Sequence, residues 1–159
     1  MEIDTRALAE SLHNGWLGYM RSQGYTWGPS LDKARRQHPD LRPFSELSAT
    51  AIAREAAIAA ALLSAIEDEG LRVEVADAGR QALGLEKAMD VLVAPLAIAT
   101  FRTWAKNQPH LAELPAVMTT AQWHQFSDEH KRAQDTAAVV GLLGRLYEMG
   151  FAITGSAVS

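Results

Sequence analysis

The densest gathering of chemistry-bearing side chains in this 159-residue chain lies between Ala9 and Leu47. His13 and Trp16 share a helix face. Tyr25 and Trp27 follow in a stretch rich in Gly and Pro, and Lys33, Arg35, Arg36, His38 and Arg42 crowd positive charge into one short span. Flat aromatic faces stack on planar bases, at about 1–3 kcal/mol per base in nucleic-acid systems, while Arg and Lys hold phosphates. Such a set fits a nucleotide-like ligand. The same residues fit a plainer reading too, in which Trp16, Tyr25 and Trp27 fill the small core of a loop-rich unit. His13 is then a buried hydrogen-bonding histidine, and the cations are ordinary surface charge.

Other chemistries find less support. The five histidines, His13, His38, His110, His124 and His130, lack the paired helical spacing of a zinc protease, and with no Cys there is no thiolate to complete a mixed site. No metal and no cofactor is expected. Gly141-x-x-Gly144 falls inside a predicted helix, where it serves close helix packing and not a phosphate loop. Ser64, Thr119 and Ser127 stand in no nucleophile motif, so the expectation is a protein that is not an enzyme.

Fifteen Lys and Arg against nineteen Asp and Glu give a formal charge of −4, the wrong balance for gripping a nucleic-acid polymer. The hydrophobic fraction of 48% is that of a folding chain, long enough for one core. The N-terminus is acidic where a signal peptide would be basic, and Val91 to Ala99, interrupted by Pro95, falls short of a membrane span. A soluble, cytoplasmic protein with no membrane partner is expected.

The elements that would position these residues are helical. Leu8, Leu12, Trp16 and Met20 recur at i+4 steps through a helix from Thr5 to Gln23, capped by Thr5 and ended by Gly24. Tyr25 to Ser30 reads as a structured loop and Leu31 to Arg36 as a short helical turn, with extended chain around Pro39 and Pro43. Ser48 caps a long Ala-rich helix, Ala49 to Asp68, that stops at Gly70. Beyond it come a short extended piece at Leu71 to Val75, a helix from about Arg80 to Val93, another from Pro95 to Asn107, and a last one from about Ser127 to Met149. The tail Thr154-Gly155-Ser156-Ala157 is expected to fray. The predicted class is all-α.

A shift of about 80 positions places Ala53, Ala57, Leu62, Leu63 and Gly70 on Ala133, Ala137, Leu142, Leu143 and Gly150. Two readings fit this echo: a duplicated unit, or two amphipathic helices that match because both end in Gly.

One resemblance narrows the choice. Ala9-Glu10-x-x-His13-Asn14-x-Trp16, then Gly24-Tyr25-Thr26-Trp27-Gly28-Pro29, Asp32, and His38-Pro39-x-Leu41-x-Pro43-Phe44-x-x-Leu47 resemble the RyR domain, the repeat of ryanodine receptors that also occurs in bacterial and phage proteins. The likeness covers about residues 1–75, leaving 76–159 as a helical half that the family's tandem habit would make a degenerate second repeat. It implies an adenine nucleotide or an ADP-ribose-type signal held between aromatic rings, with Trp16 against the base and His13 beside it. Tyr25 and Trp27 exchange the family's usual Trp and Tyr, and Gly18, Tyr19 and Met20 stand where polar or basic residues are usual.

The expected ligand-binding residues are therefore Trp16, His13, Trp27, Tyr25 and Met20, with Arg36 and Arg35 for charge. Phe101-x-x-Trp104 would stand in for His13-x-x-Trp16 in the second half, so that Trp16 and Trp104 face each other. A homodimer of the first unit would build an equivalent cleft. The relatives imply a sensor or a sponge in bacterial or phage-defence signalling; the alternative is a helical interaction or assembly module whose aromatics are core.

Overall fold

A computed structural model describes residues 2–77, 81–111 and 113–155. Five α-helices build most of it: α1 (Thr5–Ser22), α2 (Ala49–Asp68), α3 (Leu85–Ala105), α4 (Thr120–Phe126) and α5 (Glu129–Glu148). Five short strands complete it: β1 (Thr26–Trp27), β2 (Gln37–His38), β3 (Leu71–Val75), β4 (Ala82–Leu83) and β5 (Phe151–Gly155). The chain is thus mostly helical with two small sheets, which corrects the all-α expectation.

Local chemistry sets the helix ends. Asp4, one residue before the expected Thr5, caps α1 by accepting from the amides of Arg6 and Ala7 at 3.0 and 3.1 Å. Ser48 caps α2 as its sequence suggests, accepting from the Ala51 amide at 3.1 Å. Gly70 and Gly150 follow α2 and α5 with φ of 77° and 89°, a left-handed turn that glycine adopts without a Cβ clash. Each turn delivers the chain straight into a strand, β3 or β5.

Those strands pair antiparallel, with β4 on the other edge of β5. Because β5 is central, Phe151, Ala152, Ile153 and Thr154 are all buried. The expected fraying tail is therefore an ordered strand as far as Gly155, while Ser156 and Ala157 lie outside the described residues. Arg80, the expected start of the third helix, lies outside them as well.

The two helices expected on either side of Pro95 are one. Proline removes a helical hydrogen bond and crowds the preceding turn, yet Leu92 before it and Leu96, Ala97 and Phe101 after it are all buried, and that packing holds α3 together. The residues around Trp27 and His38 form a two-stranded parallel pair with turns between them in place of a loop and a helical turn.

The order long helix, short helix, long helix, strand occurs twice, the short helix of the first half being a single 3-10 turn at Phe44–Glu46. α2 and α5 are each 20 residues long and begin 80 positions apart, as do β3 and β5, and α1 and α3. In the sheet, Val73 faces Ile153, its own counterpart at that offset, with the neighbouring pairs placed symmetrically around it. A local two-fold axis produces this arrangement. The halves meet where α1 crosses α5: a Cβ on Gly15 would strike the Ala137 carbonyl, and one on Gly141 would come within 2.6 Å of the Ser11 carbonyl. Gly141 therefore permits close packing, as its position suggests, whereas Gly144 faces open space.

By length and mean hydropathy, α2 and α3 would suffice to cross a membrane. Here both turn apolar side chains such as Leu62, Ile66, Leu92 and Leu96 into one shared core.

Candidate functional site

Where α1, α2, α3 and α5 converge they leave a cavity of about 160 Å³. Its apolar wall comes from Leu12, Trp16, Ile58 and Trp104, and its polar wall from His13, His38, Asp40, Arg54, Glu55 and the α5 residues Lys131, Gln134 and Asp135. Glu55 and Asp135 occupy the same place in the two halves, 80 positions apart, as do Arg54 and Gln134. Each half therefore supplies one carboxyl of this matched pair, and Asp40 adds a third to the same space.

Trp16 is fixed from three directions. Its indole N–H donates to Gln134 Oε1 at 2.8 Å, tying the first half to α5. His13 lies 5.6 Å from its ring centre, and His38 meets it edge-on at 4.9 Å. His13 is 1% exposed and donates from Nε2 to the Arg42 carbonyl at 2.7 Å. Burial lowers the pKa of both His13 and His38, so each favours its neutral form. His38 Nδ1 accepts from the Asp40 amide at 3.0 Å, which leaves the proton on Nε2.

The opposite wall carries charge. Lys131 Nζ sits 3.1 Å from Asp135 Oδ1 and 4.2 Å from the centre of the Trp104 ring, a cation held by a carboxylate and an aromatic face together. Asp135 is 3% exposed, and its Oδ2 is buried without a hydrogen-bond partner. Burial raises Asp135 to about 6, against the opposing pull of Lys131. Burial likewise raises Glu55 to about 7, opposed by Arg54 and Lys131 and assisted by the charges of Asp40 and Asp135. Arg54 is more open, its side chain 49% exposed and 3.8 Å from Asp40.

Of the eight residues singled out in the sequence, His13, Trp16 and Trp104 line this cavity. The other five do not. Trp27 is 49% exposed, packed against the Arg42 guanidinium at 5.2 Å, with its N–H donating to the Pro39 carbonyl. Tyr25 stacks on His130 at 5.8 Å, and Met20 is buried with Leu17 and Leu41 in a small separate cluster. Arg35 reaches out to Asp32, and Arg36 donates to the Gln23 carbonyl at 2.8 Å. These five side chains have found partners within the fold, which draws them away from the cavity.

Trp104 reaches the cavity by a different route from the expected one. At an offset of 80 residues His13 and Trp16 fall on Val93 and Leu96, so Phe101 and Trp104 are not their positional counterparts. Phe101 is buried beside Trp104, their ring centres 5.8 Å apart. Sequence reasoning did not single out Arg54, Glu55, Lys131, Gln134 and Asp135. The available signals were an Arg–Glu pair breaking the Ala run of α2 and a Lys–Asp pair at i,i+4 on α5.

Among the described residues no three His, Asp or Glu side chains gather as a metal site would require. The family model of the RyR domain matches residues 1–75, which contain α1, α2, β3 and the His13–Trp16 wall. No curated protein matches the chain.

Proposed function

We propose that the cavity between the halves receives the planar ring of a nucleotide-derived small molecule, such as an adenine nucleotide or an ADP-ribose-type signal, and that the protein binds this ligand without transforming it. One observation carries this reading: Trp16, inside the segment that matches the RyR domain, and Trp104, outside it, line the same cavity. Size limits what can enter. A protein cavity of about 150 Å³ accommodates a benzene ring, whereas whole small-molecule sites run to about 300–1,000 Å³. A space of about 160 Å³ accepts a ring and leaves the sugar and phosphates outside. Arg54, half-exposed at the rim, takes the phosphate-facing role that the sequence suggested for Arg35 and Arg36.

Relatives of the RyR type in bacteria and phages suit a cytoplasmic sensor or a sponge that sequesters a signal. The test is a thermal-shift series with ATP, ADP and ADP-ribose. Ligand at about 100 times its Kd adds about 2.7 kcal/mol, a rise of several degrees for a domain of this size. A rise that disappears in Trp16→Ala supports the reading; no rise with any of the three removes it.

A second reading, an interaction or assembly module, is favoured by the outer face of α2, where Ala49, Ala53, Ala57 and Ala60 are exposed. Small side chains allow another helix to approach closely. Sedimentation over a range of concentrations tests it, since a second copy on that face gives a mass that rises with concentration.

A further inference from the structure

The unpartnered oxygen of Asp135 deepens the reading of the cavity as a ring-binding site, on which this inference rests. We propose that Asp135 selects the ligand, its Oδ2 accepting a hydrogen bond from an amino group carried directly on the planar ring.

Three observations converge on that atom. Oδ2 is buried with no donor to satisfy it, in a residue 3% exposed that lines the cavity. A buried acceptor left unpaired has lost its water without replacement, so a ligand that supplies the donor recovers that loss while one that lacks it does not. Three of the cavity's donors are turned to other groups: Lys131 to Asp135 Oδ1 and the Trp104 face, Trp16 to Gln134, and His13 to the Arg42 carbonyl. Finally, the cavity admits a ring and little more, so the donor that reaches Asp135 belongs to the ring and not to a sugar hydroxyl outside it.

The upward shifts of Asp135 and Glu55 agree with this arrangement, because both carboxyls have lost water without gaining full replacement for it. Protonated or ionised, a carboxyl retains an oxygen that can accept. Sites built to hydrogen-bond a substrate group discriminate strongly against analogues without it, more strongly than apolar pockets discriminate by size.

The experiment compares adenosine with purine riboside, which lacks only the 6-amino group, by calorimetric titration of the full chain. Adenosine is expected to bind at least tenfold more tightly. In Asp135→Ala that preference should fall below threefold, whatever change in affinity the two nucleosides share. Equal affinities for the parent chain would overturn the role of Asp135 and assign Oδ2 to a bound water, leaving the ring site standing. Binding of neither nucleoside, nor of any nucleotide in the thermal series, would overturn the ring site and this inference with it. Should Asp135→Ala fail to fold, the two affinities of the parent chain still decide.

Discussion

In the segment that carries β1 and β2, Trp27 lies against the Arg42 guanidinium, Arg36 reaches back to the Gln23 carbonyl and Arg35 to Asp32. In the cavity between the halves, Trp16 and Trp104 also stand among cations and carboxyls, yet there one buried oxygen is left without a partner. The first group is crowded in sequence and satisfied by its own neighbours. The second is scattered over four helices and the stretch from His38 to Asp40, and only the packed chain brings it together. Closeness in sequence gathers residues that can solve one another's needs locally; unmet needs collect where distant elements meet.

The sharpest way to break this contrast is to remove one tryptophan from each region. Trp16→Ala should weaken binding of a nucleotide ligand by about 10- to 100-fold, from lost stacking, and lower stability by about 2–4 kcal/mol through the lost ring and its bond to Gln134. Trp27→Ala should leave affinity within about twofold and stability within about 1 kcal/mol, since the ring is half-exposed. Titration and urea melts of both variants read the difference. Equal effects would dissolve the distinction between the regions.

Next in size is the helix crossing that holds the cavity's walls together. Gly141→Ala should cost about 1–3 kcal/mol because the new methyl meets the Ser11 backbone, which cannot rotate away. Gly144→Ala, in open space on the same helix, should gain about 0.5–1 kcal/mol from helix propensity alone. Paired denaturant melts check the opposite signs.

The pH dependence of stability gives a third test. Folded Glu55 holds its proton to about 7, whereas the unfolded chain releases it near 4.5. Between those values the native state binds more protons, so the contribution of Glu55 to stability falls as pH rises. His13 and His38 act in the other direction, with stability lost as pH falls below their ordinary value of 6.5. Glu55→Gln leaves the histidine contribution in place and should raise stability at pH 8 by about 1–2 kcal/mol relative to its effect at pH 4. A parallel pH profile for the variant and the parent would show that Glu55 is not desolvated. The smallest effect belongs to Arg35→Ala, expected within about 0.5 kcal/mol in melts and without influence on ligand affinity.

The elements governed by local chemistry were legible from the sequence: α2 from Ser48 to Gly70, the left-handed exits at Gly70 and Gly150, and the close crossing at Gly141. Where a local rule competed with tertiary packing, it misled. Pro95 breaks helices in isolation, but here it sits within a buried face that outweighs it. The extended piece at Leu71 to Val75 is β3 with those bounds, whereas β1, β2 and β4 escaped notice because each is two residues long and shows no alternation. His13 and Trp16 could be read from their spacing, and Trp104 only by analogy. Asp135 carried only its i,i+4 spacing from Lys131, which fits an exposed ion pair equally well and gives no hint that folding will bury it.

The self-facing register of Val73 and Ile153 bears on how the molecule assembles. Two separate polypeptides with this symmetry would have to find each other, and their cavity would empty on dilution. One covalent chain holds its two halves at an effective concentration fixed by the link between them, so the shared space persists however scarce the protein becomes. Within one chain the two halves also need not be identical: the first brings His13 and Trp16 to the cavity, the second Lys131 and Asp135, and a symmetric frame can enclose an asymmetric guest.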